Sequence, residues 1–420
     1  MLRIAAAALA AASCATGAQA QTEHIKAAGP PLTLDEALAA AGATSPAVEA
    51  AAAGVRATDA QRQVAGLRPN PSAFAEAENV AGTGIYKGLR SSETTVGVQL
   101  PLELGGKRSA RIRVAEAQGA RARLDAAVAR ADLQLRVTQA YAQAVAGQRR
   151  LAVARDQVRV AAEGLRVARV RVRAGRASPL EESRAGVALA NAEGAAERAE
   201  RSASVAAANL SRLIGRPVAA LDLAWFDRVG GIGPALPAQA DSLLAAAAAQ
   251  ADVATATAQV ALARSQRIPD LTVSAAARRL EQTNDTAAVF GVSIPIPLFN
   301  NGQAGVDVAT AERARADALR RAAVLNTQAE IATAQGEVAN AATTARTATG
   351  PALAGAQEAA RIARIGYREG KFGQLDLLDA ERTLLETRTA AIDALAAYHD
   401  AQARLERLAA RAPDQTDTTR

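Results

Sequence analysis

Gly97-Val-Gln-Leu-Pro-Leu102 and Gly291-Val-Ser-Ile-Pro-Ile296 are two versions of one motif, 194 residues apart. The same offset aligns Val114-Ala-Glu-Ala117 with Val308-Ala-Thr-Ala311. Further on, Arg173-Ala-Gly-Arg176 matches Arg368-Glu-Gly-Lys371 at an offset of 195, which also carries Leu180 onto Leu375. Upstream, Arg68-Pro69 resembles Ile268-Pro269. Alanine-rich helices always look alike, but these matches rest on Gly and Pro. The chain is an internal duplication.

Working outward, each half has one order of elements. A helix comes first, Leu34 to about Leu67 and Ala240 to about Arg267. Prolines stop it, at Pro69 and Pro71 in one half and Pro269 in the other. Two strand-like runs follow: Ser72–Val80 with Glu93–Leu102, and Asp270–Leu280 with Ala287–Pro297. Val96, Val98 and Leu100 share one strand face, as do Phe290, Val292 and Ile294, while Thr95, Gly97 and Gln99 face the other way. Runs of about 10 residues suit tilted transmembrane strands. Phe74, Tyr86, Phe290 and Phe299 lie in or beside them, as girdle aromatics or as ordinary strand formers.

A very long helix comes next, roughly Leu104–Arg173 and Gly302–Arg368, with Pro351 expected to kink or break the second copy. Gly175 and Gly370 mark turns. Returning helices span about Ser178–Ile214 and Gly373–Ala410. The returning helix plus the next half's first helix matches the long helix in length, as end-to-end stacking in a cylinder requires. The expected organisation is a signal peptide at 1–20, a first repeat at 21–215, a linker at 216–239, a second repeat at 240–411 and a tail at 412–420. Four strands cannot close a barrel alone, so oligomerisation is implied.

Composition narrows the chemistry. Half of the 420 residues are hydrophobic, yet only 2% are aromatic. One Cys excludes an internal disulfide, and two separated His disfavour a metal centre. Ten aromatics are too few to stack on single-stranded nucleic acid. The net charge of +7 is mixed with acids along the chain, which argues against nucleic-acid binding. No Ser/His/Asp or Cys/His set converges in the sequence, so no enzyme chemistry and no cofactor are expected. His24 and His399 lack evident partners, and His399 reads as a capping or surface residue. Gly105-Gly106 is too short for a phosphate-binding loop.

The N-terminus reads as an export signal: Met1-Leu-Arg3, an apolar stretch from Ile4 to Gly17, and Ala18-Gln-Ala20. Cys14 is a weaker candidate for lipidation, since the usual Leu three residues before it is missing. No later apolar run reaches the ~18–20 residues of a spanning helix. The chain is therefore soluble in the periplasm, secreted, or an outer-membrane β-barrel.

Leu32-Thr-Leu-Asp-Glu-Ala-Leu38, the Pro-ended strands and Gly366-Tyr-Arg-Glu-Gly-Lys-Phe-Gly-Gln-Leu-Asp-Leu-Leu-Asp-Ala380 closely resemble the TolC-like outer-membrane efflux proteins. The likeness covers nearly the whole mature chain. Pro101-Leu-Glu-Leu-Gly-Gly-Lys-Arg108 looks like the cation-efflux (CzcC-like) branch. The resemblance implies a mainly α fold with a β-barrel part: a homotrimer with an α-helical periplasmic tunnel and a shared twelve-stranded barrel in outer-membrane lipid, four strands per chain. It implies an exit duct for a proton-driven inner-membrane pump of the resistance-nodulation-division type, joined through a periplasmic adaptor. Cobalt, zinc, cadmium or nickel would be cargo, with no tight metal site. A general drug or organic-solute duct of the same family is the alternative. An exported coiled-coil scaffold or adaptor would explain the helices but not the repeated strands.

Asp376 and Asp379 sit three apart on one helix face and match the family's aperture carboxylates. In a trimer they would form acidic rings that attract cations without fixed coordination; alone they would read as two solvated surface acids. Glu181 and Glu182, in the first half, are adjacent and do not reproduce the spacing. Tyr367 and Arg368 match positions near the gate, where either could bond a neighbouring helix. Gly175 and Gly370 resemble the tip glycines where the adaptor docks, and each also reads as a plain helix C-cap.

Overall fold

The computed structural model describes residues 31–230 and 242–413. The signal segment with Cys14, His24 and the chain beyond 413 lie outside the described residues, as do positions 231–241 of the linker region.

The first helix is two helices, not the single one read from the sequence. α1 (Leu34–Thr44) starts at Thr33, whose side chain and that of Glu36 cap each other's backbone N–H. It stops because Pro46 offers no N–H. Pro46 instead opens α2 (Pro46–Ala65) at its first turn, where the missing donor costs nothing. β1 (Ser72–Glu78) and β2 (Glu93–Leu102) follow, then α3 (Lys107–Arg173) and α4 (Pro179–Ile214). The second half runs α5 (Leu244–Gln266), β3 (Leu271–Leu280), β4 (Asp285–Ser293) and α6 (Gln303–Thr347). A π-turn at Ala348–Ala352 then leads into α7 (Leu353–Arg368) and α8 (Gln374–Leu408). β4 starts and ends earlier than the expected Ala287–Pro297. Pro295 and Pro297 lack the N–H that a ladder needs, so pairing stops at Ser293. α3 is unbroken for 67 residues, about 100 Å. In the second half, Pro351 lies in the π-turn beside Gly350, whose φ −97° and ψ −106° are not helical.

The strands form one antiparallel sheet in the order β1-β2-β3-β4. Register places Val96 opposite Ala75 and Ala277, and Val98 opposite Ala73 and Ala275. Phe290 lies opposite Ala275. Val96, Val98, Phe290 and Val292 are exposed on one face. The other face carries Thr95, Gln99 and Ser274, with Arg278 bridging Glu78 at 3.0 Å and Glu93 at 2.9 Å. Gly97 is required here: a Cβ would come within 2.5 Å of Ala276 Cβ. Among the described residues no helix is long and apolar enough to cross a membrane.

The core sits midway along the helices. Here the segment after α4 runs beside the residues just before α1, with Leu32 N donating to Ala220 O at 2.9 Å and Asp222 N to Leu32 O at 3.0 Å. The second half repeats this clasp with opposite strand sense, Leu244 N donating to Ala410 O at 2.9 Å. Elsewhere packing is by small residues. A Cβ on Gly147 would lie 3.1 Å from Ala203 Cα, so α3 and α4 touch almost backbone to backbone.

The scarce aromatics gather at the clasp. Tyr141 is fully buried, and its hydroxyl donates to Leu32 O at 2.8 Å. Burial pushes its pKa up to about 12. His399 corrects the surface reading: it is 5% exposed, stacked 4.0 Å from Trp225, and its Nε2 donates to Phe226 O at 2.9 Å. Burial lowers its pKa, against the smaller opposing pull of the Phe226 carbonyl and Asp227. The folded state therefore resists a proton that the unfolded chain accepts near pH 6.5. Stability should be full above that pH and fall as pH drops below it. Melts read by Trp225, the only tryptophan, should show a declining midpoint between about pH 7 and 5. His399→Phe, which keeps the stack and loses the titration, should flatten that slope.

Candidate gate at the hairpin tips

α3 turns into α4 at Gly175, and α7 turns into α8 at Gly370. Both glycines are left-handed, at φ 66° and 73°. The closures are the same. Gly175 N donates to Val172 O and Arg176 N to Arg171 O; Gly370 N donates to Tyr367 O and Lys371 N to Gly366 O. This is the Schellman pattern. A Cβ at either turn would meet nothing within 4 Å, so the backbone angle, not crowding, demands glycine. Gly366 is the opposite case: a Cβ there would overlap the Phe372 ring folded over it.

The two tips are fastened to each other through Tyr367, which is 3% exposed. The Arg171 guanidinium lies 4.6 Å from its ring centroid, and Arg171 Nη1 donates to its carbonyl at 3.3 Å. The Tyr367 hydroxyl donates to Glu181 Oε2 at 3.4 Å, and burial raises its pKa. Gln374 Nε2 donates to the Glu181 carbonyl at 2.8 Å. Glu181, set aside in the sequence for its spacing, is thus the first half's contribution to this contact. Arg368 is exposed and lines an open groove of about 710 Å³ beside Tyr367 and Gln374. It forms no bond to a neighbouring helix among the described residues.

Within the second hairpin, Arg364 grips Glu381 with both prongs, one at 2.7 Å. Glu381 is buried, and its hydrogen bonds raise the Arg364 pKa. Nearer the clasp, Arg388 reaches Asp156 at 2.7 Å and Arg150 reaches Asp393 at 2.6 Å, tying α8 to α3. These pairs join residues far apart in sequence and carry no local signal.

Asp376 and Asp379 are both exposed near the start of α8. Asp376 Oδ2 accepts from Gly373 N at 2.9 Å, so it also caps the helix. The Asp379 carboxylate forms no hydrogen bond among the described residues, and Arg382 one turn on is its charged neighbour. Such carboxylates attract cations but do not cage them. Among the described residues no group of three or more His, Cys, Asp or Glu is arranged to hold a metal ion.

The outer membrane efflux protein model matches residues 37–216 and 240–411, one match on each repeat. The chain belongs to that family. It is an outer-membrane protein whose helices extend into the periplasm, and the family is one of channels, not enzymes. The chain is 33% identical over 398 residues to the cobalt-zinc-cadmium resistance protein CzcC of Cupriavidus metallidurans, covering 91% of this chain and 90% of the relative. It is 33% identical to the nickel and cobalt resistance protein CnrC of the same organism, covering 69% and 70%. A membrane protein from Pseudomonas aeruginosa shares the fold, with a TM-score of 0.76 over 90% of both chains at 20% identity.

The Arg364–Glu381 pair generates a direct check. Arg364→Ala leaves a buried carboxylate without its partner and should weaken the α7–α8 hairpin by about 2 kcal/mol, a figure reduced for the exposed side of Arg364. Hydrogen exchange should accelerate in residues 353–390 and stay unchanged in α3. Adding Glu381→Gln should restore most of the protection.

Proposed function

We propose that three copies of this chain form the exit duct of a tripartite system exporting divalent heavy-metal cations such as cobalt, zinc, cadmium or nickel. The observation that carries the cargo is the 33% identity to a cobalt-zinc-cadmium resistance protein across 91% of the chain. Assembly is supported by the sheet. β1 and β4 each have one bonded neighbour, and the exposed apolar face offers itself to lipid. Twelve strands from three copies would pair every edge. A resistance-nodulation-division pump and a periplasmic adaptor complete the system, the adaptor docking around Gly175 and Gly370. The two repeats, 21–215 and 240–411, act as the structural units.

In this reading the closed aperture is held by Tyr367 against Glu181 and Arg171, with Arg368 available to a neighbouring copy. Asp376 and Asp379 ring the opening and concentrate cations before passage. Cells lacking the gene should become sensitive to specific divalent metals. Unchanged metal tolerance with altered drug tolerance would assign the duct to organic solutes instead. In planar bilayers, Asp376→Asn with Asp379→Asn should reduce cation-over-anion selectivity, read as a reversal potential nearer zero in a salt gradient. Arg368→Ala should raise conductance; an unchanged value removes Arg368 from the gate.

A further inference from the structure

Where β2 hands over to α3 and α5 to β3, an open cavity of about 430 Å³ is lined by Arg113, Arg264 and Arg313 from three different helices. None of these guanidinium groups has a hydrogen bond or ion pair among the described residues. Several other cations at this end of the helices are engaged. Lys107 holds Asp270 at 2.7 Å, Arg111 holds Glu103, Arg108 donates to Gly66 O at 2.5 Å, and Arg267 donates to Asn301 O at 3.3 Å. The local acids are likewise taken: Asp270 also accepts from Leu104 N, and Glu312 pairs with Arg315. All three arginines are exposed, and together they leave the open cavity cationic and attractive to an anion.

The cavity's surroundings narrow the anion. It lies at the helix end of the sheet, one residue from Leu104 and with exposed Ile268 in its wall. The apolar strand face ends there, with Leu100 and Leu102 exposed. In an outer-membrane protein with periplasmic helices, this is the level of the inner-leaflet headgroups. The first turn of α3 opens beside it at Gly106 with no side-chain cap, leaving N–H dipoles of the right sign. We propose that Arg113, Arg264 and Arg313 form a site for the phosphate of an inner-leaflet phospholipid, with Ile268 and Leu104 against its glycerol and upper acyl carbons. Guanidinium forks suit phosphate oxygens, and basic pockets at a membrane's edge recruit anionic headgroups. The apolar flank selects a lipid over free phosphate.

The test is native mass spectrometry of the delipidated full-length protein titrated with phosphatidylglycerol, with diacylglycerol and with inorganic phosphate. Wild type should take up phosphatidylglycerol, ignore diacylglycerol, and keep the lipid against excess inorganic phosphate. Arg113→Gln/Arg264→Gln/Arg313→Gln should bind about a hundredfold more weakly, three losses of roughly fivefold each. The corresponding triple Lys variant keeps the charge but loses the forks, so it should bind more tightly than the Gln variant and more weakly than wild type, which separates lost charge from lost fold. Equal lipid retention by wild type and the Gln variant overturns the site. Phosphate binding without a lipid preference overturns the lipid assignment. No lipid on wild type, with loss of assembly in the Gln variant, assigns the three arginines to a second copy of the chain and overturns the proposal. The readout is independent of cargo, so its failure leaves the export reading untouched.

Discussion

A strand in hydrocarbon must have every backbone N–H and C=O bonded within protein. That constraint shapes this chain more than any side chain does. Four strands pair internally in the order β1-β2-β3-β4, and the first and last keep one edge each without a partner among the described residues. Most of the exposed bulky apolar residues of the sheet, Val96, Val98, Phe290 and Val292, sit on one face. The opposite face is mainly small and polar, with Phe74, Leu280 and Val289 among them and with Gly97 so close to Ala276 that a Cβ has no room. A sheet so constructed is complete only when further copies cover its edges, and the proposed trimer answers that need.

The helices solve a different problem with the same economy. A wall one helix thick has little interior, so large side chains would gain little burial. Alanine allows backbones to approach closely, as at Gly147 and Ala203, and dispersion over many short contacts replaces a thick core. Specificity then has to come from elsewhere. It comes from the aromatic and histidine cluster at the clasp, where Tyr141 bonds the first chain crossing and Trp225, Phe226 and His399 stack beside it. It also comes from cross-helix ion pairs along α3 and α8.

The elements were largely legible because their boundaries are chemical. Pro69, Pro269, Gly175 and Gly370 punctuate the chain by removing a donor or permitting positive φ, and these act locally. Strand β2 is found where period-two alternation places it. Pro46 was harder to read, because a proline in a first turn opens one helix while closing another. Likewise Pro295 and Pro297 fall in a stretch whose alternation continues past the end of pairing. What sequence could not show was tertiary. His399 looks solitary until Trp225 stacks on it from 174 positions away, and Glu381 looks like one more surface acid until α7 brings Arg364 over it. At the candidate gate the motif drew attention to Tyr367. Its partners Arg171 and Glu181 belong to the other repeat, and no spacing rule links them.

The duplication is unequal where movement would matter. α3 is continuous, while its counterpart is interrupted at Gly350-Pro351, where a missing N–H and a non-helical backbone leave the helix easy to bend. Beyond that point α7 and α8 share only a small cluster of Ala356, Ala360 and Leu384, with Leu353 against it. The polar contacts then sort into two kinds. Arg364–Glu381 lies within the hairpin and would travel with it. Arg171–Tyr367, Tyr367–Glu181 and Gln374–Glu181 cross to the first repeat and would have to break. Arg388–Asp156 and Arg150–Asp393 also cross, but nearer the clasp, where displacement about a bend is smaller. In the proposed duct, opening would therefore swing the second hairpin against the first, at a cost set by the few contacts around Tyr367, whose ring is buried and whose hydroxyl bond to Glu181 is long.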